Sequence, residues 1–210
     1  MPAGSIERTN ARKEEIINAC EKLYQTMNFK DITLKDIGNE TSFSRTSIYN
    51  YFQTKEEIFL ALLKREYDLW IQSLGDVTEA HEKMSDEEIA DTLAKTLEQR
   101  PQLLKILSMN HYDLEENSRM EHLVEFKVSY GNALKTVGEM LSKFRPDMDE
   151  KKRREFVYTF FPFMFGIYPY TVVSEKQKEA MTEAGVDYTY SSLYEFIYNA
   201  VQRMLPNRTE

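Results

Sequence analysis

The sequence predicts an all-α protein of about nine helices or more, with a small three-helix head at the N-terminus and a helical bundle behind it. Three observations carry this. Glycine and proline are scarce, at 7 and 6 of 210 residues, which favours long helices over turn-rich β structure. Apolar residues recur at i, i+3, i+4 and i+7. Ser, Thr or Asp repeatedly stands three residues before Glu or Gln, the signature of a helix start. No run of alternating β-branched residues competes with these signals.

The first helix spans Arg12 to Asn28, with Ile16, Ala19, Cys20, Leu23, Tyr24 and Met27 on one face. Thr33 caps a short second helix from Leu34 to about Glu40. Thr41-Ser42-Phe43 reads as a turn, and Ser44 as the cap of a third helix, Arg45 to Phe52. Thr54-Lys55-Glu56-Glu57 forms a capping box opening a fourth, to about Leu74. Ser85 with Glu88 opens the next, which Pro101 ends or bends, and a short helix from about Gln102 to Asn110 follows. Ser118 with Glu121 starts a long helix to about Phe144. Asp147 with Glu150 starts an apolar one, Ser174 with Gln177 a short piece that Gly185 stops, and Ser192 with Glu195 the last, to about Met204.

The net charge of −8 argues against nonspecific coating of nucleic acid. The charge is uneven: residues 1–65 hold 10 Lys+Arg and 9 Asp+Glu, and the rest hold 17 and 26. A near-neutral head on an acidic body fits a nucleic-acid contact confined to the head. The single cysteine, Cys20, excludes an intrachain disulfide. Met1 to Arg12 lacks an apolar core, so no secretory leader is expected. Phe156 to Val173 is free of formal charge and follows Lys151-Lys152-Arg153-Arg154. Its two prolines, three tyrosines and two threonines make it a poor membrane span, so a helix buried in a core or an interface is expected, with no membrane partner.

Two short helices joined by a turn behind a longer one form a helix-turn-helix. Ile48 and Phe52, at i and i+4, are expected to pack inward. Thr46, Ser47, Tyr49, Asn50 and Tyr51 are left facing out or at the edge, a surface suited to a major groove, where Asn pairs with adenine and hydroxyls reach bases or phosphates. Thr33 and Ser44 sit at helix N-termini, which favour phosphate. Lys35, Arg45 and Lys55 can neutralise phosphates.

Ile32-Thr33-Leu34-Lys35-Asp36-Ile37-Gly38, a turn, and Thr46-Ser47-Ile48-Tyr49-Asn50-Tyr51-Phe52-Gln53-Thr54-Lys55-Glu56-Glu57-Ile58-Phe59 resemble the N-terminal domain of the TetR family. The match covers about residues 8–63. It implies phosphate contacts from Thr33, Tyr49 and Lys55. It implies base-edge or phosphate contacts from Ser44, Arg45, Thr46, Ser47, Asn50 and Tyr51. Gly38 stands where the family often has alanine, and Thr41-Ser42-Phe43-Ser44 replaces the commoner Ala-Gly-Val-Ser. Phe43 is expected to fill the hydrophobic slot, and Ser42 to adopt the backbone geometry of the missing glycine at a small cost.

The resemblance further implies a DNA-binding domain over residues 1–54 and a ligand-binding and dimerisation domain over 55–210. The last two long helices, about Asp149 to Tyr170 and Tyr190 to Met204, would form a homodimer matching a palindromic double-stranded DNA operator. Trp70, Met109, His111, Tyr112, Phe126, Tyr130, Phe161, Met164, Phe165 and Tyr168 have the aromatic and Met character of a small-molecule site for an apolar or aromatic effector, or equally of a core. By the resemblance the fourth helix would link effector to head, and the protein would be a cytoplasmic transcriptional regulator, usually a repressor.

No catalytic constellation is visible. His81, His111 and His122 lack metal-ligand spacing, and there is no phosphate-binding glycine loop, so no enzyme, metal or cofactor is expected. A helical protein-interaction adaptor without DNA binding is the alternative.

Overall fold

The structure, a computed structural model, describes residues 3–208, with side chains from Glu7 onward except those of Arg45, Met109 and Asn110. The described residues form α1 (Ala3–Thr26), α2 (Leu34–Asn39), α3 (Arg45–Ile48), α4 (Lys55–Ala80), α5 (Asp86–Glu98), α6 (Pro101–Glu116), α7 (Met120–Phe144), α8 (Glu150–Thr171), α9 (Glu175–Glu183) and α10 (Leu193–Met204), with no strand among them.

They divide into two compact units. The first holds the chain up to Arg65 together with Asn110–Ser129. The second holds Glu66–Met109 and the chain from Tyr130 onward. The sequence expectation of one boundary, at 54/55, did not anticipate the stretch 110–129.

In the first unit, α1 packs on α2 and α2 on α3. The core rests on Ile16, Cys20, Tyr24, Ile32, Ile37 and Phe59, all essentially sealed from solvent. Tyr24 and Phe29 both meet the Phe59 ring edge-on, with centroids 4.9 and 4.8 Å apart. Arg65 ties α4 to α1 through Glu21 at 2.6 Å and Asn18 at 2.6 Å. Burial pushes the Cys20 thiol well above its ordinary range, so it behaves as a small hydrophobe.

In the second unit, α10 packs on α5 and α8. Ile89, Ala90, Leu93, Ala94 and Leu97 of α5 and Ile197 and Val201 of α10 are buried. The Tyr194 hydroxyl donates to Asp91 at 2.8 Å and is pushed up to about 12 by that bond. Beneath lies an aromatic cluster in which the Phe161 ring stands 6.0 Å from Trp70 and 5.6 Å from Tyr130. The indole N–H of Trp70 donates to Thr96 at 3.1 Å. Arg145 is fully buried between α7 and α8 and meets Asp147, Asp86 and the carbonyl of Pro206.

Most predicted helix starts are where the residues placed them. Ser85 with Glu88 and Ser192 with Glu195 form complete capping boxes, and Gly185, at φ +67, stops α9 in the left-handed region that suits glycine. Four departures have physical reasons. Pro101 begins α6 rather than ending α5, because a first-turn residue has no intrahelical N–H partner to lose. Ser118 does not cap α7, and its hydroxyl has no hydrogen-bond partner among the described residues. The cap of α8 is Asp149, accepting from Lys152 N at 2.8 Å, because Asp147 is engaged by Arg145. α3 stops at Ile48, four residues before Phe52, and continues as turns.

α8 is covered on one side only. Phe156, Val157, Phe160, Phe161, Met164 and Ile167 are buried, whereas Tyr158 and Tyr170 are 63% and 58% exposed. Among the described residues no single helix is long and apolar enough to cross a membrane; α8 and α9 together reach the length but turn by 84° at their break.

Candidate nucleic-acid interface

The polar outer surface of the head belongs wholly to the first unit. Thr33 N-caps α2, and its hydroxyl is paired with Asp36. Asp36 N donates to Thr33 Oγ1 at 3.3 Å, and the Asp36 carboxylate accepts from Thr33 Oγ1 at 2.6 Å and Thr33 N at 3.0 Å. These bonds from Thr33 hold the Asp36 carboxyl below its usual range. Lys35, on the same helix, is exposed.

The turn between α2 and α3 corrects the expectation for Ser42. No non-glycine residue among those described has a positive φ, so Ser42 does not imitate the missing glycine. The turn is held from outside instead. The Glu15 carboxylate accepts the Ser42 N–H, and the Thr41 hydroxyl donates to the carbonyls of Gly38 at 2.9 Å and Phe43 at 3.2 Å. The Ser42 amide is also what keeps the Glu15 carboxyl low. Phe43 is half-buried, with the Arg12 guanidinium 5.2 Å from its ring centre.

α3 is a single turn. Ile48 and Phe52 are buried beneath it. Ser44, Thr46, Tyr49 and Asn50 are exposed, and Ser47 and Tyr51 are half-exposed. Ser44 Oγ and Ser47 Oγ lie 3.1 Å apart. The Arg45 side chain lies outside the described residues. The backbone past Ile48 tightens: Asn50 N reaches Ser47 O at 3.2 Å and Tyr51 N reaches Ile48 O at 2.8 Å, three residues back. Hydroxyls, an amide and a phenol thus form one polar, aromatic outer surface on an apolar footing.

Lys55 has a structural role that residue spacing did not show. Its ammonium donates to the carbonyls of Phe29 at 2.7 Å and Ile32 at 3.1 Å, and stands 4.3 Å from the centre of the Phe29 ring. It closes the turn that ends α1.

Residue spacing also does not show that Glu57, Arg119 and His122 meet: it marks Glu57 only as part of a capping box and His122 only as a histidine without metal-ligand spacing. Glu57 is sealed, and it completes only half of the expected capping box. Its N–H donates to Thr54 Oγ1 at 3.2 Å, but its carboxylate accepts from Gln53 N at 2.7 Å rather than from Thr54 N. The Arg119 guanidinium then grips both oxygens, at 2.6 and 3.0 Å. Burial would raise the Glu57 carboxyl, but the Arg119, Gln53 and His122 interactions outweigh it and hold the carboxyl below the usual carboxylate range. Stability from this ionised carboxylate is therefore fully present above the unfolded carboxylate range and is lost as pH falls through the lowered native value. The difference in urea midpoint between the parent protein and Glu57→Gln is expected to be constant above pH ~5 and to shrink on further acidification. A difference independent of pH would show that the fold does not favour the ionised form of Glu57.

The residues considered for a small-molecule site are divided. Trp70, Tyr130, Phe161, Met164, Phe165 and Tyr168 belong to the second unit, where Trp70, Phe161 and Met164 are fully buried. His111, Tyr112 and Phe126 belong to the first unit. There Phe126 is buried, Tyr112 is 86% exposed, and His111 Nε2 lies 3.3 Å from Glu115. The Met109 side chain lies outside the described residues.

Comparison with known proteins agrees with this architecture. Among curated proteins, the chain is 30% identical over 78 residues to the uncharacterized HTH-type transcriptional regulator YfiR of Bacillus subtilis, covering 37% of this chain and 38% of that one. Among solved structures, the fatty acid degradation regulator FadR from Bacillus halodurans superposes with a TM-score of 0.61 at 14% identity, over 93% of this chain and 95% of that one. FadR from Bacillus subtilis, solved with stearoyl-CoA, superposes at 0.57 and 14% identity, over 94% and 99%. These two likenesses concern the fold. The family model for bacterial regulatory proteins of the tetR family matches residues 16–62, and that for the tetracyclin repressor-like C-terminal domain matches 64–201. With one model over the head and the other over most of the remaining chain, the protein belongs to the TetR family.

Proposed function

We propose that this protein is a sequence-specific DNA-binding transcriptional regulator, a repressor released by a small effector. One observation carries the reading: on α3 and the turn after it, the inward residues Ile48 and Phe52 are sealed, while Ser44, Thr46, Tyr49 and Asn50 stand exposed. Asn50 is the residue best suited to a bidentate contact with adenine. Ser44, Thr46, Ser47, Tyr51 and Tyr49 supply hydroxyls to base edges and phosphates, and Lys35, Arg45, Lys55 and Thr33 serve phosphate. The chemistry is binding and not catalysis, and it takes place where the chromosome is, in the cytoplasm.

The protein acts as a homodimer on a palindrome. The exposed Tyr158 and Tyr170 on the open side of α8 support this, since aromatic surface on an otherwise apolar helix calls for a covering partner. The effector is a small apolar or aromatic molecule received near Trp70, Tyr130, Phe161 and their neighbours. It acts by its differential affinity for two arrangements of the dimer. Stearoyl-CoA, seen with the Bacillus subtilis FadR, is a first compound to try.

The test is to mix the protein with sheared genomic DNA, recover the bound fragments and sequence them, with Tyr49→Ala/Asn50→Ala as the control. One short palindrome should be enriched, and the enrichment should vanish in the control. A folded, dimeric sample that enriches nothing at moderate salt would overturn the reading and favour an adaptor that binds protein alone.

A further inference from the structure

The residues joining the proposed DNA surface to α4 are held by the stretch between α6 and α7. The Tyr51 carbonyl accepts from Arg119 Nη2 at 3.2 Å. The Phe52 ring lies against the His122 ring, with centroids 5.5 Å apart. Gln53 N donates to Glu57, whose two oxygens are gripped by Arg119. The Thr54 hydroxyl donates to the Asn117 carbonyl at 3.0 Å. Thus every residue from Tyr51 to Thr54 has a partner in, or routed through, residues 117–122.

The DNA-facing segment needs such support. α3 is four residues long, too short to hold its own shape, since a first helical turn fixes many dihedrals for one hydrogen bond. Burial of Ile48 and Phe52 sets how deep the segment sits, but apolar contacts are non-directional. The Tyr51 and Phe52 N–H groups both donate to the Ile48 carbonyl, at 2.8 and 2.9 Å, which leaves the Tyr51 carbonyl to be met from outside α3. Arg119 meets it there: Nη2 donates to both the Tyr51 carbonyl and Glu57, and Nε completes the two-point grip on the carboxylate that caps Gln53.

We propose that Arg119 is a positioning residue for DNA recognition: through Glu57 and the Tyr51 carbonyl it orders the turn Tyr49–Gln53 so that Tyr49, Asn50 and Tyr51 reach the groove together. This rests on the DNA-binding reading above. Arg119 lies outside the matched head, residues 16–62, so a residue of the C-terminal region governs the geometry of the N-terminal one.

Arg119→Gln and Arg119→Lys would be compared with the parent protein by operator affinity, affinity for a scrambled duplex, the salt dependence of both, and amide hydrogen exchange. Arg119→Gln is expected to weaken operator binding by about tenfold or more, the worth of a misplaced bidentate base contact. The salt slope should not change, because no cationic phosphate contact is lost, and affinity for the scrambled duplex should fall much less than affinity for the operator. The amides of Tyr51 and Gln53 should exchange faster while those of α1 stay protected. Arg119→Lys, which keeps the charge without the fork, should fall between and also serves if Arg119→Gln fails to fold. Unchanged operator affinity and exchange in a folded variant would overturn the proposal. So would equal losses on both duplexes with a shallower salt slope, which would make Arg119 a phosphate contact. A parent protein with no preference between the duplexes would sink the DNA-binding reading itself, and the positioning role with it.

Discussion

Arg145→Met is expected to destabilise the second unit by about 3–5 kcal/mol, the cost of removing one member of a buried, hydrogen-bonded charge cluster. The guanidinium is fully buried. It meets Asp147 with two donors at 2.8 Å each, Asp86 at 3.0 Å and the Pro206 carbonyl at 2.8 Å. Methionine fills much of the same volume, so the loss would come from stranded acceptors and not from a cavity. Asp86 keeps Arg208 at 2.8 Å, whereas the Pro206 carbonyl and the two Asp147 oxygens lose their Arg145 donors. Thermal unfolding should show it as a drop in Tm of about 6–20 °C for a chain of this size, measured at fixed protein concentration because dimerisation would shift the midpoint. The double variant Arg145→Met/Asp147→Asn should recover part of the loss, since the carboxylate that loses the guanidinium is then neutral. A single-variant change below ~1 kcal/mol would mean that water replaces the guanidinium, and that Arg145 does not pin the α7–α8 turn.

Lys55→Met is the second large effect, and it separates two roles of one residue. The ammonium bonds two backbone carbonyls and rests on the Phe29 ring. Bonds from a charged donor contribute about 1.5–3 kcal/mol each, and the aromatic contact adds about 0.5–1 kcal/mol. Lys55 is only half-buried, so the expected net loss is about 2–4 kcal/mol, with the first unit unfolding earlier. If Lys55 also meets a phosphate, through the third ammonium proton, the salt slope of operator binding should fall by about 1. Lost stability with an unchanged slope would assign Lys55 to the fold alone. An unchanged stability would show that the turn ending α1 closes without it.

These residues show where sequence reading reached and where it stopped. Caps, stops and apolar faces were legible because each depends on neighbours within a few positions. Ser85 needs only Glu88, Ser192 only Glu195, and Gly185 only its own freedom at positive φ. The Ile48–Phe52 footing and the exposed Asn50 follow from helical spacing in the same way. The turn at Ser42 is not legible locally because it is stabilised by Glu15, 27 residues away along the chain. Asp147 has the local spacing of a cap, yet its carboxylate belongs to Arg145. Glu57 looked like half of an ordinary capping box, and nothing local marks Arg119, 62 positions on, as its partner.

What the sequence by itself determined was the helical class, the order of the helices, the inner and outer residues of α3 and the turns after it, and a resemblance specific enough to place the chain in its family. Periodicity and capping are short-range physics, and they are written directly in residue order. What only the tertiary structure decided was which charges are buried together and which distant segment holds the outer surface of the head in place. A buried carboxylate and an exposed one are the same letter. The difference is made by desolvation and by the donors that arrive from elsewhere in the chain, as Arg119 arrives at Glu57 and as Asp86, Asp147 and Pro206 converge on Arg145.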